Sequence, residues 1–137
     1  MSLNITFVAI QPEDMALLLG DPTSVDDFVS RESGFQAVLV LTGRWDALQQ
    51  ALSGAGFRSS HFIDEVLSNG CEVVEPDLVF RQAQQLAAVD EAALHRTLLA
   101  ALQHPQEAGA QAKAYRALAG FYADASSRSF GVLFFAE

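Results

Sequence analysis

The sequence of 137 residues predicts a single α+β domain over residues 1–137, with helices packed on a small sheet that includes the N- and C-terminal strands. The segment Leu3 to Ile10 is apolar and β-branched, and Phe130 to Phe135 reads GVLF flanked by phenylalanines, so both are expected to form strands. Between them, apolar residues recur at helical spacing. Hydrophobic residues make up 50% of the chain, enough for a core without cross-links.

The first helix is predicted to begin at Pro12, because proline suits the first helical position and the two acidic residues that follow interact favourably with the helix dipole. This helix should end at Gly20. A second short helix, capped by Thr23 or Ser24, should end before Ser33-Gly34. The sequence therefore predicts a pair of short helices directly after the first strand.

The segment Phe35 to Leu41 is apolar and is predicted to be either a strand or an extended lead-in to the next helix. Thr42 is expected to cap that helix. Trp45, Leu48 and Leu52 fall at positions i, i+3 and i+7, so they should share its buried face.

The next segment is predicted to be helical at residues 62–67, where four apolar residues fit a short helix and Gly70 suits the position after its end. Val73 and Val74 are expected to add a brief strand.

The C-terminal half is predicted to contain three helices. Pro76 begins the first, Asp90 caps the second, and His104-Pro105 ends the second. The third is expected from about Glu107 to Ala125. The residues predicted to face the core are Val79, Ala83, Leu86, Ala87, Leu94, Leu98, Leu102, Ala112, Tyr115, Leu118, Tyr122 and Ala125.

The charge of the chain is strongly negative and unevenly distributed. Seventeen acids against 8 bases give a formal net charge of −9. Glu13 to Asp27 and Asp64 to Asp77 each contain five acids and no base. These stretches are interpreted either as solvated faces that aid solubility or as a steering surface for a basic protein partner. Since no positive cluster is present, nucleic acid is not expected as a partner.

The N-terminus lacks the basic region and the apolar core of a signal peptide, and no apolar run approaches the ~20 residues of a membrane span. The single cysteine, Cys71, excludes an intrachain disulfide. A cytoplasmic protein with no membrane partner is therefore predicted.

Catalytic and cofactor motifs are absent from the sequence. Cys71 lies among acids, which would raise its pKa, so a structural role is expected. On a helix, His61, Asp64 and Glu65 would share a face and could together contact a metal, but a structural zinc requires about four ligands. They are interpreted as surface residues. With no nucleotide-binding glycine pattern, no metal or other cofactor is predicted.

The aromatic residues Trp45, Tyr115 and Tyr122 are expected to pack in the core with their polar tips at the surface. Trp and Tyr are also typical interface anchors, and Arg44 and Asp46 would form a polar rim around Trp45.

Four segments, in order, resemble the YfbM-like family of small bacterial proteins, a domain of unknown function. They are LLLGDPTSVDDFV, VLTGRWDALQQALSGAG, VVEPDLVFRQAQQLAAVDEAALHRTL and YRALAGFYADASSRSFGVLFF. The resemblance covers most of the chain from Leu17 onward and implies the family's α+β fold. Thr42, Gly43 and Arg44 precede Trp45 and Asp46 follows it, where the family usually has an acid and a lysine before the tryptophan and a histidine after it.

The function predicted from these observations is that of a small acidic, non-catalytic protein-binding module, in concrete form an immunity-type protein that neutralises a basic toxin or effector. The residues predicted to bind the partner are Asp26, Asp27, Arg44, Trp45, Asp46, Asp64 and Glu65. The alternative is a small-molecule-binding protein or weak hydrolase that uses the carboxylates of Asp46, Asp64 and Glu65, with His61 as base. A third possibility is self-association through an uncovered FGVLFF strand edge, whereas a central buried strand explains that segment more simply.

Overall fold

The structure, a computed structural model, describes residues 4–137. Within this range the chain forms a five-stranded antiparallel sheet with the strand order β2-β1-β5-β4-β3. The strands are β1 (Ile5–Ile10), β2 (Ala37–Leu41), β3 (His61–Ile63), β4 (Cys71–Val74) and β5 (Gly131–Ala136). Both predicted terminal strands are present, although Leu3 lies outside the described residues.

The helices are α1 (Pro12–Gly20), α2 (Val25–Arg31), α3 (Trp45–Ala51), α4 (Pro76–Ala87), α5 (Glu91–Leu102) and α6 (Pro105–Ser127). A short 3-10 turn, Pro22–Ser24, connects α1 to α2. Together with the sheet they form one α+β domain, as predicted from the apolar ends of the chain and the helical periodicity between them.

The sheet separates two layers of helices of unequal thickness. Phe7 and Phe134 face the thick layer, which consists of α3 to α6, while Val8 and Leu133 face the thin layer, which consists of α1 and α2. All four side chains are buried because β1 and β5 are the central strands, covered on both faces. The FGVLFF segment is therefore a central strand, and its edge is not available for self-association.

The predicted helix at residues 62–67 is wrong. His61–Ile63 is a strand, and Ile63 pairs with Cys71 in β4. Four apolar residues in six fit a short helix and a strand equally well. Backbone pairing with β4 stabilises the strand here. Phe35–Leu41 resolves as a strand that begins at Ala37, with Phe35 packed on Phe28 at a ring separation of 5.9 Å.

Only one of the predicted N-cap residues caps its helix through its side chain. Asp90 caps α5, since its carboxylate accepts hydrogen bonds from the backbone N–H groups of Ala92 and Ala93. Thr42 does not cap α3, which begins at Trp45 with Arg44 at the cap position. Ser24 precedes α2, but its hydroxyl donates to the carbonyl of Asp21 instead of accepting from the helix. The last helix, α6, begins at Pro105, two residues before the predicted start at Glu107.

One predicted core residue of α4 is exposed, and a glutamine is buried on the same helix. Ala87 faces solvent, while Gln82 is fully buried and its side-chain carbonyl accepts a hydrogen bond from the backbone N–H of Gly56. Gly56 has φ +88°, and a Cβ there would lie 2.6 Å from Leu118 Cδ2. A helical wheel places glutamine on the polar face, so this buried contact could not be predicted.

The two tyrosines of α6 are buried, as predicted, but their hydroxyl groups do not reach the surface. Tyr115 donates to the backbone carbonyl of Leu86. Tyr122 is completely buried, and its hydroxyl group has no hydrogen-bond partner among residues 4–137. Both tyrosines therefore contribute to the core of the thick layer and offer no anchor to a partner.

Candidate protein-binding surface

Asp26 connects the two acidic stretches of the sequence. It lies in the first turn of α2, where a carboxylate is favourable to the helix dipole. Its Oδ1 accepts a hydrogen bond of 2.8 Å from the backbone N–H of Leu67, in the loop between β3 and β4. The same loop carries Asp64 and Glu65, and all three acidic side chains are exposed. Asp26 and Leu67, which are 41 positions apart in sequence, thus share one surface.

The loop at residues 64–70 has a defined backbone conformation. Glu65 has φ +59° and Leu67 has φ +51°, both in the left-handed region that non-glycine residues rarely adopt. The carboxylate of Asp64 accepts from the backbone N–H of Glu65, and the side-chain amide of Asn69 donates to the carbonyl of Ala136 in β5. These hydrogen bonds hold the loop from both sides, so its acids are presented by an ordered backbone.

Asp27 follows Asp26 but has a different environment. Its carboxylate is 3.1 Å from the guanidinium of Arg31, one turn further along α2, and both side chains are mostly exposed. An exposed pair of this kind contributes little to stability. Asp27 can therefore interact with a partner at small structural cost, whereas Asp26 also holds the loop.

His61, Asp64 and Glu65 do not share a helix face, because the helix on which that grouping depended is absent. His61 is on the edge strand β3, with Nε2 3.6 Å from a carboxylate oxygen of Glu75. Among residues 4–137 no three His, Cys, Asp or Glu side chains are close enough to hold a metal ion.

Trp45 is the first residue of α3 and is half-buried in the thick layer. Its ring stacks on Phe57 at 6.1 Å with an interplanar angle of 15°. Arg44 and Asp46 flank it on the exposed side and pair with each other through two hydrogen bonds of 2.9 and 3.0 Å. The Arg44 guanidinium holds the pKa of the Asp46 carboxyl below its usual value, so this residue stays ionised.

A cleft of about 220 Å³ opens beside Trp45, between the start of α3 and the ends of β4 and β5. Trp45 and Phe62 line it, and Phe62 is 57% exposed. Glu72 also lines the cleft and is half-buried, with its carboxylate accepting a 2.6 Å hydrogen bond from the Ser59 hydroxyl. Sequence reasoning missed Phe62 and Glu72 because it assigned Phe62 to a helix, whereas strand pairing places these two side chains opposite each other.

The loop at 64–70 is the part of the molecule that connects the acidic surface with this cleft. Its Leu67 contacts Asp26 on the thin-layer side, and its Asn69 and Gly70 line the cleft on the thick-layer side. The structure therefore brings Asp26 to the loop that carries Asp64 and Glu65, while Trp45 with its flanking pair lies on the other side of the same hairpin.

Cys71 lies between these two regions and is 1% exposed. Burial, reinforced by the negative charges of Glu72 and Asp26, raises the pKa of its thiol to about 11. The thiolate that a nucleophile requires is therefore almost unpopulated at neutral pH. Cys71 packs in the core of the thin layer together with Val73 and Ile63.

The chain is similar to a solved structure, the Escherichia coli protein YfbM, described as a protein of unknown function. The superposition covers 98% of this chain and 99% of YfbM with a TM-score of 0.73, at 15% sequence identity. The chain therefore has the YfbM fold, in agreement with the resemblance found in the sequence. No protein-family profile matches the chain, and no curated protein sequence matches it. No helix within residues 4–137 is long and apolar enough to cross a membrane.

Proposed function

We propose that the chain is a non-catalytic protein-binding module of the bacterial cytoplasm that binds a basic partner, in the manner of an immunity protein that neutralises a toxin or effector. The observation that carries this proposal is the hydrogen bond between Asp26 and the backbone of Leu67. It joins two base-free acidic stretches into one surface with an ordered backbone.

Electrostatic attraction supplies the first element of recognition. Asp27, Asp64 and Glu65 are exposed at this surface, and the whole chain carries a net charge of −9. A field of this sign accelerates encounter with a cationic protein and weakens as salt increases. The proposed complex therefore forms quickly at low ionic strength and more slowly at high ionic strength.

The cleft beside Trp45 supplies the second element, a place for an anchoring side chain. Phe62 and Trp45 offer aromatic surface, and Glu72 offers a carboxylate at the same position. A long cationic side chain of the partner would contact aromatic faces along its length and the carboxylate at its tip. Aromatic anchors of this kind commonly provide most of the energy of an interface, while the charged rim provides specificity.

The experiment compares capture of partners from a lysate of the source organism by the wild type and by the double variant Asp27→Lys/Glu65→Lys, at low and high salt. Within residues 4–137 neither side chain accepts a backbone hydrogen bond, so this variant tests charge without releasing the loop. We expect one stoichiometric basic protein to be captured by the wild type and its association rate to fall at least about tenfold in the variant.

The matched control is Glu91→Lys/Asp124→Lys, which changes the net charge by the same amount on α5 and α6. Both acids are exposed and form ion pairs with arginines, as Asp27 does. Capture that is unchanged in the Asp27/Glu65 variant, or reduced equally in both variants, would refute the acidic surface as the binding site.

A small-molecule or weak hydrolytic role is the second candidate, and the cleft beside Trp45 is the feature that favours it. Asp46 and His61 belong to different elements, and Glu72 is the carboxylate that lines this cleft. A thermal-shift screen against Phe62→Ala as the control distinguishes this role. Ligands that raise the melting temperature of the wild type and leave that of the variant unchanged would favour it.

A further inference from the structure

Among the described residues, the outer edge of β2 is an uncovered strand edge with exposed valines. Within residues 4–137, β2 pairs with β1 alone. Val38 and Val40 are 52% and 48% exposed on the sheet face that the thin layer covers elsewhere. No charged residue and no proline occurs between Phe35 and Gly43, although edge strands usually carry such residues to prevent further pairing.

The hydrogen-bond pattern shows which backbone groups point outward. Asn4 and Glu137 exchange both of their backbone hydrogen bonds, so the even-numbered residues of β1 bond to β5 and the odd-numbered residues bond to β2.

In the β1–β2 register, Phe7 is opposite Leu39. Ala37, Leu39 and Leu41 therefore bond to β1. Val38 and Val40 direct their N–H and C=O groups away from the sheet.

We propose that β2 pairs with β2 of a second copy of this chain, in antiparallel orientation about a two-fold axis at Leu39. In this register Val38 lies opposite Val40 of the second copy, and each such pair exchanges both outward hydrogen bonds. The exposed valines of the two copies then cover one another on one face of a continuous sheet. One two-fold axis relates the outward donors, the outward acceptors and the apolar side chains of the two strands. The edge of β2 is therefore complementary to itself.

The other face of the sheet leaves space for this pairing. A groove of about 290 Å³ lies between β2 and α6, lined by Leu39 and by the small side chains of Ala110, Ala114 and Ala117. Of the described residues that line it, Lys113 is the one that carries a charge. Since the chain carries a net charge of −9, a self-contact is favourable only where acids are absent, as they are from this groove and from β2.

Sedimentation velocity over a concentration series tests the proposal. We expect the wild type to approach twice the monomer mass, and Val38→Lys to raise the dimer dissociation constant at least about tenfold, because the substitution occurs twice in each dimer. Phe80→Lys is the matched control, since Phe80 is 54% exposed on α4 and its substitution should leave the dissociation constant unchanged. Circular dichroism verifies that each variant is folded.

Cysteine crosslinking tests the register. Leu39→Cys places the two thiols across the axis, in a pair whose Cα atoms are about 4.5 Å apart, within disulfide range. Under mild oxidation it should give a covalent dimer. Ala37→Cys, on the same face but opposite Leu41, should not. A wild type that stays monomeric, a dimer insensitive to Val38→Lys, or equal crosslinking of both cysteine variants would each overturn the proposal, and a monomer would leave this edge to a strand of another protein.

Discussion

The two layers that cover the sheet are held in different ways. In the thick layer, buried polar side chains connect the elements. Gln82 accepts from the backbone of Gly56, Gln111 donates to the carbonyl of Thr42, and Tyr115 donates to the carbonyl of Leu86. The core of the thin layer is apolar, built around residues such as Met15 and Leu18, and the charges of α1 and α2 lie outside it.

This difference separates stability from surface chemistry. In the thick layer a substitution removes either packing or a buried hydrogen bond, and both losses are large. In the thin layer, outward acids such as Glu13 and Asp27 are exposed, and substitutions at such positions have little effect on folding. The layer that carries most of the core is therefore not the layer that presents the charged surface, and four substitution pairs test this separation.

The largest expected effect is on packing. Leu118→Ala should lower the free energy of unfolding by about 4 kcal/mol and Leu18→Ala by about 2 kcal/mol. Leu118 is completely buried against Gly56, whereas Leu18 borders an open depression of about 390 Å³ beside α2, where neighbouring groups can relax. Urea denaturation measures both values. Equal losses would contradict the difference between the layers.

A smaller loss is expected at the buried glutamine. Gln82→Leu keeps a side chain of similar volume but removes the amide. The backbone N–H of Gly56 then has no acceptor, so the free energy of unfolding should fall by about 2 kcal/mol. Gln85→Leu is the control, because Gln85 is exposed and, among the described residues, its side chain bonds only to the amide of Gln82; the substitution should cost about 0.5 kcal/mol. If both variants lost the same amount, the contact with Gly56 would not be important.

The tyrosines of α6 give a matched pair within the thick layer. Tyr115→Phe removes a hydrogen bond to Leu86 and should cost about 1 kcal/mol. Tyr122→Phe should be neutral or slightly stabilising, because the hydroxyl group of Tyr122 is buried without a partner among the described residues, and burial also raises its pKa. Thermal unfolding monitored by circular dichroism distinguishes them, and a larger loss for Tyr122→Phe would contradict this assignment.

The smallest effects are expected at the acidic surface. Asp26→Ala should cost about 1 kcal/mol, because it leaves the N–H of Leu67 without its acceptor. Asp27→Ala removes an exposed ion pair with Arg31, one helical turn away, and should cost about 0.3 kcal/mol. Chemical denaturation compares the two variants. Equal costs would show that the loop at 64–70 is not held by Asp26, and the acidic surface would lose its ordered backbone.

Local patterns were sufficient where one element could satisfy itself. Asp90 caps α5 through its own side chain, and Pro12 and Pro76 begin helices because their missing N–H groups are not needed there. The stripe that includes Leu118 and Tyr122 follows from the 3.6-residue period of α6 alone. The candidate site could be predicted only in part. The sequence identified Asp26 and Asp64 by their charge, but it did not predict the contact of Asp26 with the loop that carries Asp64.

The sequence by itself determined the fold class, the apolar terminal strands and the acidic character of the chain, because these depend on composition and on periods of a few residues. Tertiary structure alone decided that residues 61–63 form a strand, that Gln82 is buried, and that Asp26 contacts Leu67. Each of these depends on a partner distant in sequence. The free energy of such a contact arises only when the rest of the chain has brought the two groups together, so no local pattern records it.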